Sequence, residues 1–159
     1  MKKENYEIAT FAAGCFWGVE AAFRQIKGVK STRVGYTGGK MENPSYEDVC
    51  ADETGHAEAV EVTFDPKQVS YEKLLDVFWG NHNPTQGNRQ GPDVGTQYRS
   101  AVFYHNTKQR ELASKSLKEQ QKKYDKKITT EINPAEKFFK AEDYHQQYLE
   151  KRGMSTCHI

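Results

Sequence analysis

A cysteine stands at an apparent helix start in the stretch FAAGCFWGVEAAF, residues 11–23. Gly14 before it lets the chain turn sharply from a strand into a helix. If the helix begins at Phe16 or Trp17, the sulfur of Cys15 lies beside unpaired N–H groups and the positive end of the helix dipole. That position favours the thiolate, with two aromatic rings as its neighbours. The pattern predicts a nucleophile presented to an apolar group; the alternative is a small apolar cysteine in the core.

A carboxylate lies on the apolar face of the clearest predicted strand, residues 57–64. Strand residues two apart share a face, so Glu58 points the same way as Val60, Val62 and Phe64. Burying a carboxylate is unfavourable unless the group is paired or protonated, and the loss of water raises its pKa. Glu58 is therefore a candidate general acid near neutral pH, unless the strand end is wet and the side chain is exposed.

Two long loops, 37–55 and 81–97, carry further polar groups that could act on a substrate. The first contains Tyr46, and the second contains Asp93 and Tyr98. A tyrosine hydroxyl donates a hydrogen bond without delivering a full charge, which suits a polarised oxygen. Each of these residues could equally be structural.

The chain has three cysteines, Cys15, Cys50 and Cys157. An odd number of thiols in a chain without a secretory signal argues against a disulfide framework. Cys157 lies in the tail GMSTCHI, outside any strong core pattern, and an exposed thiol there suits the resolution of a sulfenic acid. Cys50, His56, Cys157 and His158 are available as ligands, but the gap from Cys50 to His56 does not fit short zinc-ligand spacing and there is no Cys-x-x-Cys pair, so no metal is expected.

Composition and charge exclude several kinds of partner. The formal net charge of +1 gives no electrostatic reason to bind nucleic acid or an anionic membrane surface. The first residues, MKKENYEIAT, lack the apolar region of a signal peptide. No apolar run approaches the roughly 18–20 residues of a spanning helix. We therefore expect a soluble, cytoplasmic protein that binds neither nucleic acid nor membrane.

Strand and helix patterns alternate along the chain, which predicts one domain over residues 1–159. The order β-α-β, loop, β-α-β indicates an α/β (α+β) fold, a ferredoxin-like split βαβ core of mixed sheet with an added helix and strand. We also expect long loops and a coiled, mobile C-terminal tail, residues 153–159. Strands are predicted at 6–12, 30–36, 57–64, 98–104 and 127–132, and helices from 16 to 27, after Ser70, over 107–123 and, weakly, over 141–151.

Six ordered blocks of the sequence resemble a known family. GCFWGVE, GYTGG, NPSYEDVC, TGHAEAVEV, FDP and GTQYRSAVFY occur in the order found in the peptide methionine sulfoxide reductases of the A type, which act on the S epimer of the sulfoxide. The similarity runs from residue 6 to residue 150. A single G-C-x-W would be weak, but six blocks at compatible spacing are very specific.

The resemblance implies a role for each residue around Cys15. Cys15 would be the nucleophile that attacks the sulfoxide sulfur, and Phe16 and Trp17 would line the apolar pocket for the methyl group of the substrate. Glu58 would protonate the sulfoxide oxygen.

Further roles follow from the same resemblance. Tyr46 and Tyr98 would hydrogen-bond to the sulfoxide oxygen, Asp93 would form the substrate-binding end of the pocket, and His56 is added as a substrate-binding candidate. Cys157 would be the recycling cysteine.

The resemblance also implies a route for turnover. Attack leaves Cys15 as a sulfenic acid, which condenses with Cys157 to a disulfide, and an external dithiol such as thioredoxin reduces that disulfide. No metal or bound organic cofactor is needed, and a monomer is expected. Many members of the family carry two recycling cysteines in the tail, whereas this chain has one. Cys50 is the alternative resolving cysteine, although we expect it to be structural.

Two other functions compete with reduction. One is a cysteine hydrolase or acyltransferase that pairs Cys15 with His56, His82 or His105 as the base. Glu58 on an apolar face has no evident role in that scheme. The other is an aromatic-lined module that binds methionine-containing peptides and leaves Cys15 inert.

Overall fold

The computed structural model of the chain describes residues 6–51, 54–91 and 93–151. The predicted tail, 153–159, and with it Cys157, lies outside the described residues. In the part of the chain that is described, no helix is long and apolar enough to cross a membrane. The strands are β1 (Glu7–Ala13), β2 (Val29–Thr37), β3 (Ala57–Phe64), β4 (Arg89–Gln90), β5 (Asp93–Val94), β6 (Ser100–Tyr104), β7 (Glu131–Pro134) and β8 (Phe139–Lys140). The helices are α1 (Phe16–Arg24), α2 (Tyr46–Cys50), α3 (Tyr71–Gly80), α4 (Thr107–Gln121) and α5 (Tyr148–Lys151), with 3-10 turns at Thr96–Tyr98 and Asp143–His145.

Six of the strands form one sheet in the order β7-β6-β1-β3-β2-β8. Neighbouring strands in this sheet are antiparallel except β6 and β7, which are parallel, so the sheet is mixed. The inner order β6-β1-β3-β2, with α1 after β1 and α3 after β3, is the ferredoxin-like arrangement. The predicted fold class is confirmed.

The two faces of the sheet are packed differently. Large side chains, among them Phe11 of β1 and Val60 of β3, belong to the main core with α1 and α3. The alternate positions are small, and Ala12 and Ala59 pack with Phe103 against the connection that contains Phe138. Because side chains alternate along a strand, Glu58 belongs to the face with the large side chains and the helices.

Several elements of the structure differ from the predicted ones. Helix α2 and the hairpin of β4 and β5 lie inside stretches predicted as loops. A capping box starts α2, because the Ser45 hydroxyl accepts the Asp48 N–H and the Asp48 carboxylate accepts the Ser45 N–H. Strand β7 begins later than predicted, since the Gln121 side chain binds the N–H of Ile128.

Most of the helix predicted over 141–151 is not formed. Gln146 instead bonds to β2, its Oε1 accepting the Val34 N–H at 2.9 Å and its Nε2 donating to the Val34 carbonyl at 2.8 Å. Gln147 takes a positive φ of 51° and donates its N–H to Glu20 of α1 at 2.8 Å. These contacts to β2 and α1 replace helical hydrogen bonds, and only Tyr148–Lys151 is helical.

Candidate active site

Cys15 occupies the turn between the end of β1 and the start of α1. It is the residue that precedes the first helical position, with an extended backbone (φ −56°, ψ 121°), and it is half-buried. Gly14 has a positive φ of 94°, and a Cβ atom there would lie 2.7 Å from the Cγ of Gln90. Glycine at this turn therefore allows the loop carrying Gln90 to pack beside Cys15.

Glu58 is buried beside that turn. Its side chain is 1% exposed, and Oε1 accepts the Phe16 N–H at 3.3 Å, while Oε2 finds no hydrogen-bond partner among the described residues. Burial raises the pKa of Glu58 to about 8, with the Phe16 hydrogen bond opposing the shift and the charge of Asp93 adding to it. The carboxyl group therefore keeps its proton at neutral pH and can donate it.

Aromatic side chains line the first turn of α1. Phe16 is 1% exposed, and its ring centroid lies 5.8 Å from that of Tyr36 on β2. Trp17 is half-buried and stacks on Tyr148 at 3.8 Å between centroids with an interplanar angle of 10°. The two rings next to Cys15 are thus held in place, as a defined apolar pocket requires.

Two phenols come to the site from different elements. Tyr46 begins α2, and Tyr98 ends the 3-10 turn before β6. Burial raises the pKa of both hydroxyls well above the ordinary value, with a hydrogen bond to Cys50 also contributing at Tyr46 and the charge of Glu58 contributing at both. Both hydroxyls therefore remain protonated and can donate hydrogen bonds.

Asp93 faces Cys15 across a cavity. The cavity has a volume of about 270 Å³ and is lined by Cys15, by Gly18 and Val19 of α1, and by Gln90 and Asp93 of the loop. Electrostatic interactions also link Asp93 to Glu58 and to Tyr98. Electrostatic interactions connect Cys15, Tyr46, Glu58, Asp93 and Tyr98 as one group, and Phe16 joins it through its N–H bond to Glu58. Phe16 and Trp17 follow Cys15 in the chain but are not among the residues that line this cavity.

His56 is 1% exposed and holds a loop. Its Nδ1 accepts the Gly39 N–H at 2.9 Å, and its Nε2 bonds to the Met41 carbonyl at 2.6 Å. Since both ring nitrogens are bonded to backbone, we do not retain His56 as a substrate-binding residue.

The other histidines proposed as hydrolase bases are occupied as well. His82 bonds to the Phe78 carbonyl and to the Ser100 hydroxyl, and burial lowers its pKa to about 4. His105 bonds to the Thr10 hydroxyl at 2.8 Å. None of these contacts pairs a histidine with Cys15, so the geometry does not favour a hydrolase. Among the described residues, no group of three or more His, Cys, Asp or Glu side chains could hold a metal ion.

The sequence did not predict the contacts of two residues near the site. Glu142 accepts the Tyr36 hydroxyl at 3.1 Å and the Tyr46 N–H at 3.0 Å, and so ties β2 to α2. His145 accepts the indole N–H of Trp17 at 2.9 Å. Both lie in the stretch AEDYHQQYL. The signal there was a cluster of polar and aromatic residues within a weak helical pattern.

Comparisons with known proteins agree with this geometry. The family model described as peptide methionine sulfoxide reductase matches residues 7–159. MsrA of Methanothermobacter thermautotrophicus is 60% identical over 98% of this chain and 93% of the relative. The crystal structure of Mxr1 from Saccharomyces cerevisiae in reduced form has a TM-score of 0.90, with 38% identity over 96% of this chain and 88% of that one.

A second structure of Mxr1 shows that protein in complex with Trx2. It has a TM-score of 0.65 with 27% identity, over 93% of this chain and 90% of that chain. The match to the family model and the identity to curated relatives extend over nearly the whole sequence. The chain therefore belongs to the peptide methionine sulfoxide reductase family and is an oxidoreductase that returns methionine sulfoxide to methionine.

Proposed function

We propose that the chain reduces the S epimer of methionine sulfoxide, free or in proteins, with Cys15 as nucleophile and Glu58 as acid. One observation carries this proposal: a buried carboxyl group with a raised pKa is bonded to the amide that follows Cys15, and its second oxygen is unpartnered among the described residues. A proton donor in that position meets the need of a sulfoxide. Its sulfur is a poor electrophile until its oxygen is protonated or strongly hydrogen-bonded.

The surroundings of Cys15 fit the rest of the substrate. Phe16 and Trp17 present apolar rings to the methyl group, while Tyr46 and Tyr98 supply O–H donors to the oxygen. Asp93 lies across the cavity, where it can accept an N–H of a substrate backbone. The sulfoxide sulfur is stereogenic. Only one epimer can place its methyl group on the aromatic rings, its oxygen on the O–H donors and its backbone near Asp93 at the same time. This arrangement is the basis for the proposed selectivity between epimers.

The chemical step moves one oxygen. The helix start favours ionised sulfur at Cys15. That sulfur attacks the substrate sulfur and forms an S–S bond, while the oxygen takes the Glu58 proton. The hydroxyl then moves from the substrate sulfur to the Cys15 sulfur as the S–S bond breaks, and the electron pair of that bond returns to methionine as a lone pair. Cys15 is oxidised to the sulfenic acid as the sulfoxide is reduced.

We further propose that Cys157 resolves the sulfenic acid, forming a Cys15–Cys157 disulfide and water. A thioredoxin then reduces the disulfide by thiol exchange. The complex of the related Mxr1 with Trx2 supports this partner. We expect Cys50 to be a poor resolving thiol, because burial raises its pKa, a shift that the Tyr46 hydrogen bond opposes only in part, and so reduces its thiolate fraction.

The proposed setting follows from the chemistry. Thiol exchange needs a compartment that keeps cysteines reduced, so we place the enzyme in the cytoplasm, in the repair of oxidised proteins. The six-stranded sheet joins strands from β1 to β8, which supports the proposed single domain over 1–159. We propose a monomer as well. No bound organic cofactor or metal enters the proposed steps, and neither nucleic acid nor membrane is a proposed partner.

A coupled assay with separate epimers tests the proposed function. With thioredoxin, thioredoxin reductase and NADPH, the S epimer of methionine sulfoxide should be consumed. The R epimer should react at least about a hundredfold more slowly, because exchanging the positions of the oxygen and the methyl group removes roughly 3 kcal/mol of oriented contacts. Equal rates for the two epimers would contradict the proposed arrangement of Glu58, Phe16 and Trp17.

Cys157→Ser should separate the chemical step from recycling. The variant should release one methionine per enzyme and then stop in the thioredoxin-coupled assay, because the sulfenic acid has lost its resolving thiol. Rapid-quench measurement of methionine against enzyme concentration, together with NADPH consumption, reads both steps. Undiminished NADPH consumption would show that Cys50 resolves the intermediate instead, and Cys50→Ser in the same assay identifies that route.

A further inference from the structure

The indole of Trp17 is held at its polar edge by a histidine that has no place in the steps described above. The Trp17 Nε1–H donates to Nδ1 of His145 at 2.9 Å. His145 is fully buried, at 0% exposure, so water does not compete for that acceptor. A bond between two defined ring atoms fixes the rotation of the indole in its own plane.

The contact also defines the protonation of His145. A nitrogen that accepts a hydrogen bond carries no proton, so the neutral ring has its proton on Nε2. Nε2 is buried and has no hydrogen-bond partner among the described residues. Burial lowers the pKa of His145, and the charge of Glu142 opposes that shift only in part. The ring is therefore neutral at physiological pH and available as an acceptor.

The backbone around His145 is fixed to the same helix that carries Trp17. Gln146 bonds to Val34 of β2, and Gln147 bonds to Glu20, three residues after Trp17 on α1. The imidazole is thus presented from a segment that cannot shift independently of α1. Such rigid support is what a positioning contact requires.

Aromatic contacts fix the remaining freedom of the indole. Tyr148 covers one face of Trp17 in a parallel stack, so a substrate can meet the indole only on its other face. The His145 ring lies 5.2 Å from the Phe16 ring and 4.6 Å from the Tyr46 ring between centroids. One buried imidazole therefore touches three of the side chains assigned to the substrate pocket.

We propose that His145 is a positioning residue for methionine sulfoxide reduction, whose unprotonated Nδ1 accepts the Trp17 N–H and fixes the indole against which the substrate methyl group rests. This inference rests on the proposed role of Trp17 in the pocket. His145 itself transfers no proton and does not touch the reacting atoms. Its effect is on the binding of the substrate, because a displaced indole makes a poorer contact with the methyl group in the ground state and the transition state alike.

The first test uses the wild-type protein and needs no substitution. Long-range ¹H–¹⁵N correlation spectra at neutral pH should show His145 as the neutral Nε2–H tautomer. The Trp17 Nε1–H signal, assigned by its absence in Trp17→Phe, should exchange slowly with water. An Nδ1–H tautomer or an imidazolium ring would overturn the proposal.

The second test compares two variants in single-turnover kinetics. His145→Leu removes the acceptor. We expect the substrate concentration for half-maximal rate to rise roughly tenfold and the maximal rate to change less than about threefold. The reason is that the lost contact acts in the ground state and the transition state alike. His145→Asn places an amide oxygen near the position of Nδ1 and should recover most of the affinity and the Trp17 signal. His105→Leu is a control for the substitution itself, since it removes an exposed histidine that follows β6 and bonds to Thr10.

Each outcome decides the proposal. Wild-type affinity in His145→Leu, or equal impairment in a folded His145→Asn, would overturn it, since the acceptor would then not matter. If His145→Leu does not fold, His145→Asn and the wild-type tautomer decide. Failure of the proposed function is distinguishable, because in that case Trp17→Phe would leave the half-saturating concentration unchanged whatever the spectra show.

Discussion

Cys15→Ser should abolish the reduction of methionine sulfoxide and leave the fold intact. A hydroxyl is a far weaker nucleophile than a thiolate at neutral pH, so we expect a loss of at least about 10⁴-fold in the single-turnover rate. Stability should not fall, because Cys15 precedes α1 without making a side-chain cap and serine is a preferred residue at that position. Methionine release in rapid-quench experiments and thermal melts measure the two effects.

The matched control is Cys50→Ser, which changes the same atom in the exposed thiol at the end of α2. It should retain the chemical step within a few-fold. Turnover by Cys15→Ser at a substantial fraction of the wild-type rate would refute the assignment of the nucleophile. A loss of activity with an equal loss of the folded state would show a structural role instead.

Glu58→Gln should slow the chemical step by roughly 10²–10⁴-fold, the usual contribution of a positioned general acid. The amide fills the same space but has no proton to transfer. Because burial raises the pKa of Glu58 to about 8, the wild-type single-turnover rate should be maintained below that pH and fall as the proton is lost above it. The variant should be slow at every pH and lack this fall.

Stability gives an independent measure of the same group. The unfolded chain loses the Glu58 proton near pH 4.5, whereas the folded chain holds it to about pH 8, so folding stability is favoured below 4.5 and lost as pH rises through that window. Glu58→Gln removes this loss, and the variant should gain stability relative to wild type as pH approaches 8. Denaturant titrations at several pH values measure it.

Glu61→Gln is the control for removing a carboxylate from β3. Glu61 lies on the same strand and pairs with the exposed Arg33 at 2.7 Å. The Glu61→Gln variant should keep both the wild-type rate and its pH dependence. A wild-type pH profile in Glu58→Gln would contradict the role of Glu58 as acid.

Patterns among neighbouring residues were sufficient to predict the burial of Glu58 and the turn at Cys15. The strand alternation placed Glu58 with Val60 and Val62, and the structure buries it on that face. The glycine before Cys15 and the helical spacing after it predicted the turn that presents the thiol. These inferences needed only neighbours along the chain.

Contacts between distant segments could not be read in the same way. Glu142 and Tyr46 are 96 positions apart, and His145 and Trp17 are 128 apart, so no periodicity links them. The helix predicted over 141–151 failed for the same reason, since the bonds of Gln146 and Gln147 to β2 and α1 outweigh local helical preference. The sequence around His56 does not distinguish a histidine that faces a ligand from one that bonds to a loop, and the structure shows its ring bonded to the backbone of Gly39 and Met41.

The contact between Gln146 and Val34 has a consequence for how the protein behaves at high concentration. Beyond the two paired residues of β8, the outer edge of β2 would present unsatisfied backbone groups to other chains. The Gln146 amide oxygen accepts the Val34 N–H, and the Val34 carbonyl accepts both a Gln146 amide N–H and the Ala141 N–H, as it would from the backbone of an added strand. A foreign strand must therefore displace an intramolecular amide before it can dock, which protects this edge from the pairing that begins aggregation.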